Sequence, residues 1–307
     1  MKKNKIIIAL LLVIGLTGFS QEDEKKEEKE EKEEIEEQEE KVSNIQEFTP
    51  SKLLNQGQWD IKLFNGLYTQ RKQTGENNSN SSIVPRENFN TTTLEVFTGI
   101  SKNNRVNIGA VIEYRSNTRG GRSALAVFEF ADNNLSRNGF SNISPSIRIQ
   151  PFKSISNFSY QGTLHIPLIG KGDDSTSAVF LDQSTWVFQN RYFYDYTLPS
   201  GDWQLFTELN TEYSFGDEDS FSHQTLLFVP SIFMSYFPSS TTTILGFVQH
   251  SQRVGGNFQQ NGSSLGFGGK IQLNDTLNLE ALYSKIVRGH NFQGLGNSFS
   301  VGLRALL

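Results

Sequence analysis

The sequence predicts an all-β chain: an antiparallel up-and-down transmembrane β-barrel of about 12 strands, preceded by a signal peptide and an acidic low-complexity tether. Three observations carry this. From Trp59 onward, apolar and polar residues alternate with the period of two that puts successive side chains on opposite faces of a strand. The alternating segments run to roughly 9–13 residues, which matches the 9–11 that a tilted strand needs to cross a bilayer and exceeds the usual soluble strand of about 5–6. Finally, short turns and longer polar loops take turns between the segments, as in outer-membrane barrels.

The leader comes first. Lys2, Lys3 and Lys5 precede an apolar run from Ile6 to Leu16 and the small residues around Ser20. That is the pattern of a secretory signal over residues 1–20, too short to count as a spanning helix. The chain has no cysteine, which excludes a disulfide framework, thiol chemistry and lipid attachment after the signal. Residues 21–56 form the expected periplasmic tether. Its stretch Glu22–Lys41 holds 13 acidic and 5 basic residues, a charge block that repels itself and stays solvated, with pairs such as Glu28 and Lys32 at helical spacing. The other reading of residues 22–41 is an acidic arm that binds a basic periplasmic partner or cations. The chain is −5 overall, the arm −8 and the leader +3, so residues 42–307 are neutral. A neutral body argues against nucleic-acid binding.

The barrel is assigned to residues 57–307. Trp59, Ile61 and Leu63 oppose Asp60 and Lys62 in the first strand, and Leu94 and Val96 oppose Glu95 in the second. Ile108, Ile112 and Tyr114 oppose Glu113 and Arg115, and Ile147 and Ile149 oppose Arg148. Phe158, Tyr160 and Leu164 oppose Gln161 and His165, while Phe188, Tyr192 and Tyr194 oppose Gln189, Arg191 and Asp195. Leu205, Leu209 and Tyr213 oppose Gln204, Glu208 and Glu212. The segments "TLLFVPSIFMSYF" and "TTILGFVQHSQ" are apolar on both faces, and their register is open. Leu265, Phe267 and Ile271 oppose Lys270, Leu279 and Tyr283 oppose Glu280, and Phe299, Val301 and Leu303 oppose Arg304. Turns are expected near residues 102–104, 153–156, 198–201, 238–240 and 274–275, and loops over 71–89, 117–140, 168–183, 216–222, 252–262 and 288–296. Trp59, Trp203, Tyr196 and Tyr236 would form a periplasmic aromatic girdle, with Trp186, Tyr114 and Tyr213 at the outer interface. The final strand must pair with the first, because an open sheet edge cannot sit in lipid.

The signal peptide, the stretch "FTPSKLLNQGQWDIKLFNGLYTQ" and the terminal strand Phe299–Leu307 resemble the Gram-negative outer-membrane β-barrel proteins, in the loosely described group of transporter-like and uncharacterised barrels. Members commonly finish on an aromatic residue read by the barrel-insertion machinery, and here the last residue is Leu307. The resemblance implies location in the outer membrane, contact with its lipid and with the insertion machinery, and passage of small solutes.

Catalytic patterns are weak. His250 and Ser251 are adjacent, as are Ser222 and His223, so each pair points to opposite faces. Glu208 and Glu212 share a face but lie about 14 Å apart along it, beyond the reach of a glycosidase pair. "GKGDDST" lacks the first glycine of a phosphate loop, and the four histidines show no metal-ligand spacing. "GDEDS" at 216–220 reads as a solvated hairpin tip. No cofactor, metal or catalytic residue is expected. The candidate site is the lumen, lined by Asp60, Lys62, Glu95, Glu113, Arg115, Arg148, Arg191, Glu208, Glu212, Lys270, Glu280 and Arg304. Six acids and six bases make a mixed lining, unlike the one-sided ring of an ion-selective channel. Such charges either pair across a narrow interior and seal it or line a small pore, and the expected function is a narrow, weakly selective pore or transporter. The alternatives are a non-conducting interaction barrel, binding through its loops or acidic arm, and an outer-membrane lipid hydrolase. The apolar stretch "SALAVFEF" in the 117–140 loop is expected to extend a strand or fold inward as a plug.

Overall fold

The computed structural model describes residues 51–170, 177–182, 184–216, 223–256 and 258–307. The leader, most of the tether and the "GDEDS" tip lie outside them. Twelve strands follow one another: β1 (Trp59–Thr74), β2 (Ser81–Gly99), β3 (Val106–Thr118), β4 (Ser136–Ile149), β5 (Phe158–Pro167), β6 (Val187–Thr197), β7 (Trp203–Ser214), β8 (Thr225–Ser239), β9 (Thr242–Gly255), β10 (Gln260–Gln272), β11 (Leu277–His290) and β12 (Asn297–Leu306). Each pairs antiparallel with its chain neighbours, and β12 returns to β1 to close the barrel. The closing register runs from Asp60 opposite Leu306 to Thr69 opposite Asn297. Closure leaves no strand edge to be hydrogen-bonded by lipid.

The barrel is inside-out relative to a water-soluble domain. Leu63, Ile112, Leu209, Ile232, Ile244, Phe267, Val301 and Leu303 are exposed on the outer face, whereas Asp60, Arg148, Gln161 and Asp195 are buried. An apolar outer wall of this extent is stable only against hydrocarbon. All four residues of the expected periplasmic girdle point outward, and Trp203 packs on Tyr236 with ring centroids 4.8 Å apart. A cation on this wall has no partner in lipid. Val301→Arg, near the middle of β12, is expected to destabilise the barrel by about 2–4 kcal/mol. Urea unfolding in vesicles measures it, and an inward change such as Ser300→Arg should cost clearly less.

Two loop expectations are corrected. Strands run 10–19 residues, and several rise above the membrane as hairpins. β1 and β2 occupy most of 71–89, β9 and β10 most of 252–262, and β11 part of 288–296. Above the lipid both faces meet water, so polar residues on both faces hide the period of two. The 117–140 loop is no plug. Its apolar stretch forms a 3₁₀ turn, Ala124–Glu129, laid against the outside of the barrel. Ser116 Oγ donates to the Val127 carbonyl at 2.6 Å, Asn88 donates to the Ser123 carbonyl at 3.0 Å, and Asn138 donates to the Phe130 carbonyl at 2.8 Å. These three side chains share the outward face with Ile112 and Tyr114, and their unmet polar groups hold the loop on that side.

Candidate functional site

Strand pairing puts all twelve charged residues named above on the inner face. Lys62 lies opposite Glu95 across β1 and β2, Lys270 opposite Glu280 across β10 and β11, and Arg304 opposite Lys62 across β12 and β1. Their side chains form a network. Arg304 grips Asp60 with two hydrogen bonds, Nε to Oδ1 at 2.7 Å and Nη2 to Oδ2 at 3.0 Å. Lys62 bridges Asp60 at 3.2 Å and Glu95 at 3.7 Å. Arg148 reaches the same two carboxylates at 3.9 and 3.8 Å and donates to Gln161 at 2.6 Å. Arg191 pairs with Glu208 at 2.7 Å, Lys270 with Glu280 at 3.0 Å and Arg115 with Glu113 at 2.7 Å. Glu212 accepts hydrogen bonds from Gln189 and Asn210, at 2.9 and 2.8 Å. Pairing acids with bases, and Glu212 with amides, lets a low-dielectric interior hold these charges.

The inner face also carries an aromatic surface that the charge pattern alone does not reveal. Phe193, Phe206, Phe233 and Phe247 face inward on the consecutive strands β6 to β9. Their centroids are 6.1, 5.4 and 5.1 Å apart along the series. The spacing is that of favourable ring contacts. The signal was present in the parity: Phe206 lies between inward Gln204 and Glu208. On β8 and β9 the register was obscured because inward Val229, Phe233 and Leu245 are as apolar as their outward neighbours. Phe64, Phe193, Phe206 and Phe233 border a cavity of about 270 Å³ together with Lys62, Glu95, Arg191, Glu208, Lys270, Glu280 and Arg304. Rings and charges are interleaved on it: Arg191 and Glu208 share β6 and β7 with Phe193 and Phe206, and the Arg191 guanidinium lies 4.9 Å from the Phe193 ring centroid.

Two segments close on this lumen. At the short-turn end, residues 51–58, the end of the expected tether and the first two residues assigned to the barrel, fold across the mouth. Leu54 is buried against Phe97 and Leu306, the two neighbours of Asp60 across the pairing. The segment is tied to Gly99, whose carbonyl accepts from the Gly57 amide at 2.9 Å. A Cβ at Gly99 would stand 2.1 Å from the Asn55 carbonyl oxygen, so only glycine permits this contact. At the other end residues 177–182 turn into the barrel, with Val179 and Leu181 buried. Arg115 donates to the Leu181 carbonyl at 2.6 Å and Asn117 to the Phe180 carbonyl at 2.7 Å. Arg119 likewise holds the Ala178 carbonyl. An outer vestibule of about 500 Å³ borders this segment, lined in part by Tyr68, Phe89, Phe180, Phe258 and Phe292.

A serine–histidine contact does form, across strands rather than along one. His250 Nδ1 lies 2.9 Å from Ser263 Oγ on the outer face of β9 and β10. Same-strand spacing cannot find such a pair, which register alone creates.

Known proteins fit this geometry. An outer membrane channel from Pseudomonas putida F1 superposes with a TM-score of 0.67 over 84% of this chain and 98% of that one, at 9% identity. The beta domain of the Bordetella autotransporter BrkA gives a TM-score of 0.49 over 80% of this chain and 98% of that one, at 12% identity. No curated protein matches the chain. A closed barrel with an apolar outer wall and a polar, ion-paired interior belongs in the outer membrane, and the first of these likenesses shows the same fold. A family model described as "Putative MetA-pathway of phenol degradation" matches residues 117–301. That span is more than half of the sequence, and the chain belongs to this family.

Proposed function

We propose that the protein is a narrow, weakly selective outer-membrane pore for small solutes, gated at the periplasmic mouth by residues 51–57. One observation carries the reading: a central cavity bordered both by phenylalanine rings and by ion-paired side chains. Such a lining suits solutes with an apolar face and a polar edge, because rings stack on Phe193, Phe206 and Phe233 while the neighbouring ion-paired groups accept or donate hydrogen bonds. Balanced charge removes any strong preference for one ion sign. The fold shared with the Pseudomonas putida F1 channel and the family description agree with this reading.

Planar-bilayer recording tests it. Brief, small openings of the full chain, with little cation–anion preference, are expected. A bilayer that stays silent with residues 51–57 removed would contradict it, and a partner co-purifying with such a silent barrel would favour the interaction reading. The aromatic wall has its own test. Phe206→Ala with Phe233→Ala should widen the lumen and raise inorganic-ion current. It should also lower the ratio of aromatic-acid to sugar permeation in liposome swelling. An unchanged ratio would remove the aromatic wall from selectivity.

We also propose that the chain is not an enzyme. Among the described residues, no carboxylate or amide side chain hydrogen-bonds His250, so the Ser263 pair has no group to orient its imidazole. Two further serine–histidine contacts form: Ser144 Oγ to His165 Nδ1 at 2.9 Å, which uses a serine with no exposed surface, and the exposed Ser79 Oγ to His290 Nδ1 at 3.3 Å, where among the described residues no carboxylate hydrogen-bonds the imidazole.

A further inference from the structure

Near the long-loop end of the outer wall, the apolar belt stops along one row. Leu67, Phe299 and Tyr283 lie in mutual register across β1, β12 and β11, and the next outward row is Thr69, Asn297 and Lys285. Tyr283 marks the border, its hydroxyl donating to Asn297 Oδ1 at 2.9 Å. This row is the level at which headgroups replace acyl chains. A groove of about 510 Å³ opens there, and Arg71, Lys72, Arg86 and Lys285 converge on it with no carboxylate in its lining. Among the described residues none of the four pairs with an acid. In a neutral barrel, four cations without an acidic partner, gathered from β1, β2 and β11, are a local concentration of positive charge without internal use.

We propose that this groove seats the phosphomonoester headgroup of an outer-leaflet lipid. The occupant follows from chemistry and height. Guanidinium and ammonium groups together bind phosphate oxygens strongly. The apolar row immediately below supports the acyl chains of the same molecule, which a free anion would leave bare. Thr69, Ser81 and Asn297 add hydroxyl and amide groups for a sugar or glycerol backbone. The proposal rests on the membrane placement and is independent of conduction.

The test titrates the full chain, folded in a maltoside detergent, with diphosphoryl lipid A by native mass spectrometry. One lipid per barrel is expected to survive activation. Each cation removed should weaken binding roughly fivefold, and Arg71→Gln, Lys72→Gln, Arg86→Gln and Lys285→Gln together by on the order of a hundredfold or more. Lys102→Gln with Lys153→Gln, in the opposite turns, should leave binding unchanged. Gel mobility with and without boiling checks that each variant is folded, and if the quadruple variant is not, Lys285→Gln alone carries the test. Equal binding by these variants would overturn the proposal. So would equal binding of fully dephosphorylated lipid A, or full competition by inorganic phosphate at the same phosphate concentration, which would make the groove a free-anion site.

Discussion

Removing residues 51–57 is expected to turn brief, small openings into steady current. Leu54 is buried at the level of Asp60, seated on Phe97 and Leu306. The segment adds no strand to the barrel wall, so the wall closes without it. Its loss removes a small apolar contact and uncovers the ionic network to periplasmic water. Conductance should rise severalfold, while the heat-dependent gel shift persists. Leu54→Asp should act in the same direction, because it sets a carboxylate among apolar groups beside Asp60. Gly99→Val provides an independent route. Its side chain would collide with the Asn55 carbonyl and the nearby Leu54 carbonyl at 2.7 Å, pushing the segment off its seat from outside. Three variants with unchanged current would show that the segment does not gate the pore.

Asp60→Ala is expected to be the most damaging single change in the lumen. Asp60 has no exposed surface and holds Arg304, Lys62 and Arg148 around one carboxylate. Its removal leaves three neighbouring cations with Glu95 as the remaining nearby acid. Breaking one side of a buried charge cluster costs about 3–5 kcal/mol, because the partners stay desolvated and unmatched. The chevron or urea midpoint of the folded barrel in detergent measures this. Arg304→Ala in the Asp60→Ala background should recover part of the loss, since it removes one stranded charge. The surviving pore should also shift toward anion preference. A double variant no more stable than the single one would show that Arg304 is not coupled to Asp60.

Much of this architecture was legible in the sequence, and the misses have physical causes. Within the membrane, water and hydrocarbon lie on opposite sides of the wall, so Val106–Arg115 alternates cleanly. Above it, Ser81–Asn90 meets polar surroundings on both sides, and its strand character is silent in the pattern. The apolarity of Leu125, Val127 and Phe128 shows that the stretch must pack, but not on which side of the wall. Asn88, Ser116 and Asn138 decide that, through contacts between residues far apart in the chain. The segment that does enter the lumen carries a weaker signal, Val179 and Leu181 in a polar loop. The charged lining was visible because an acid or base within an apolar strand stands out. The phenylalanine wall was legible only in part: parity turns Phe206 inward, but an inward Phe233 beside an outward Ile232 and Met234 leaves no contrast.

The chain has no cysteine, which makes single-thiol scanning of the reconstituted barrel the most direct test of which solvent touches which face. Phe233→Cys and Lys270→Cys should react with a charged, membrane-impermeant thiol reagent, faster with residues 51–57 removed, and each modification should reduce the current. Ile232→Cys and Ile271→Cys, one position away on the same strands, should react only with an apolar reagent and leave the current intact. Equal labelling of both pairs by the charged reagent, or labelling confined to the second pair, would contradict a water-filled lumen surrounded by hydrocarbon.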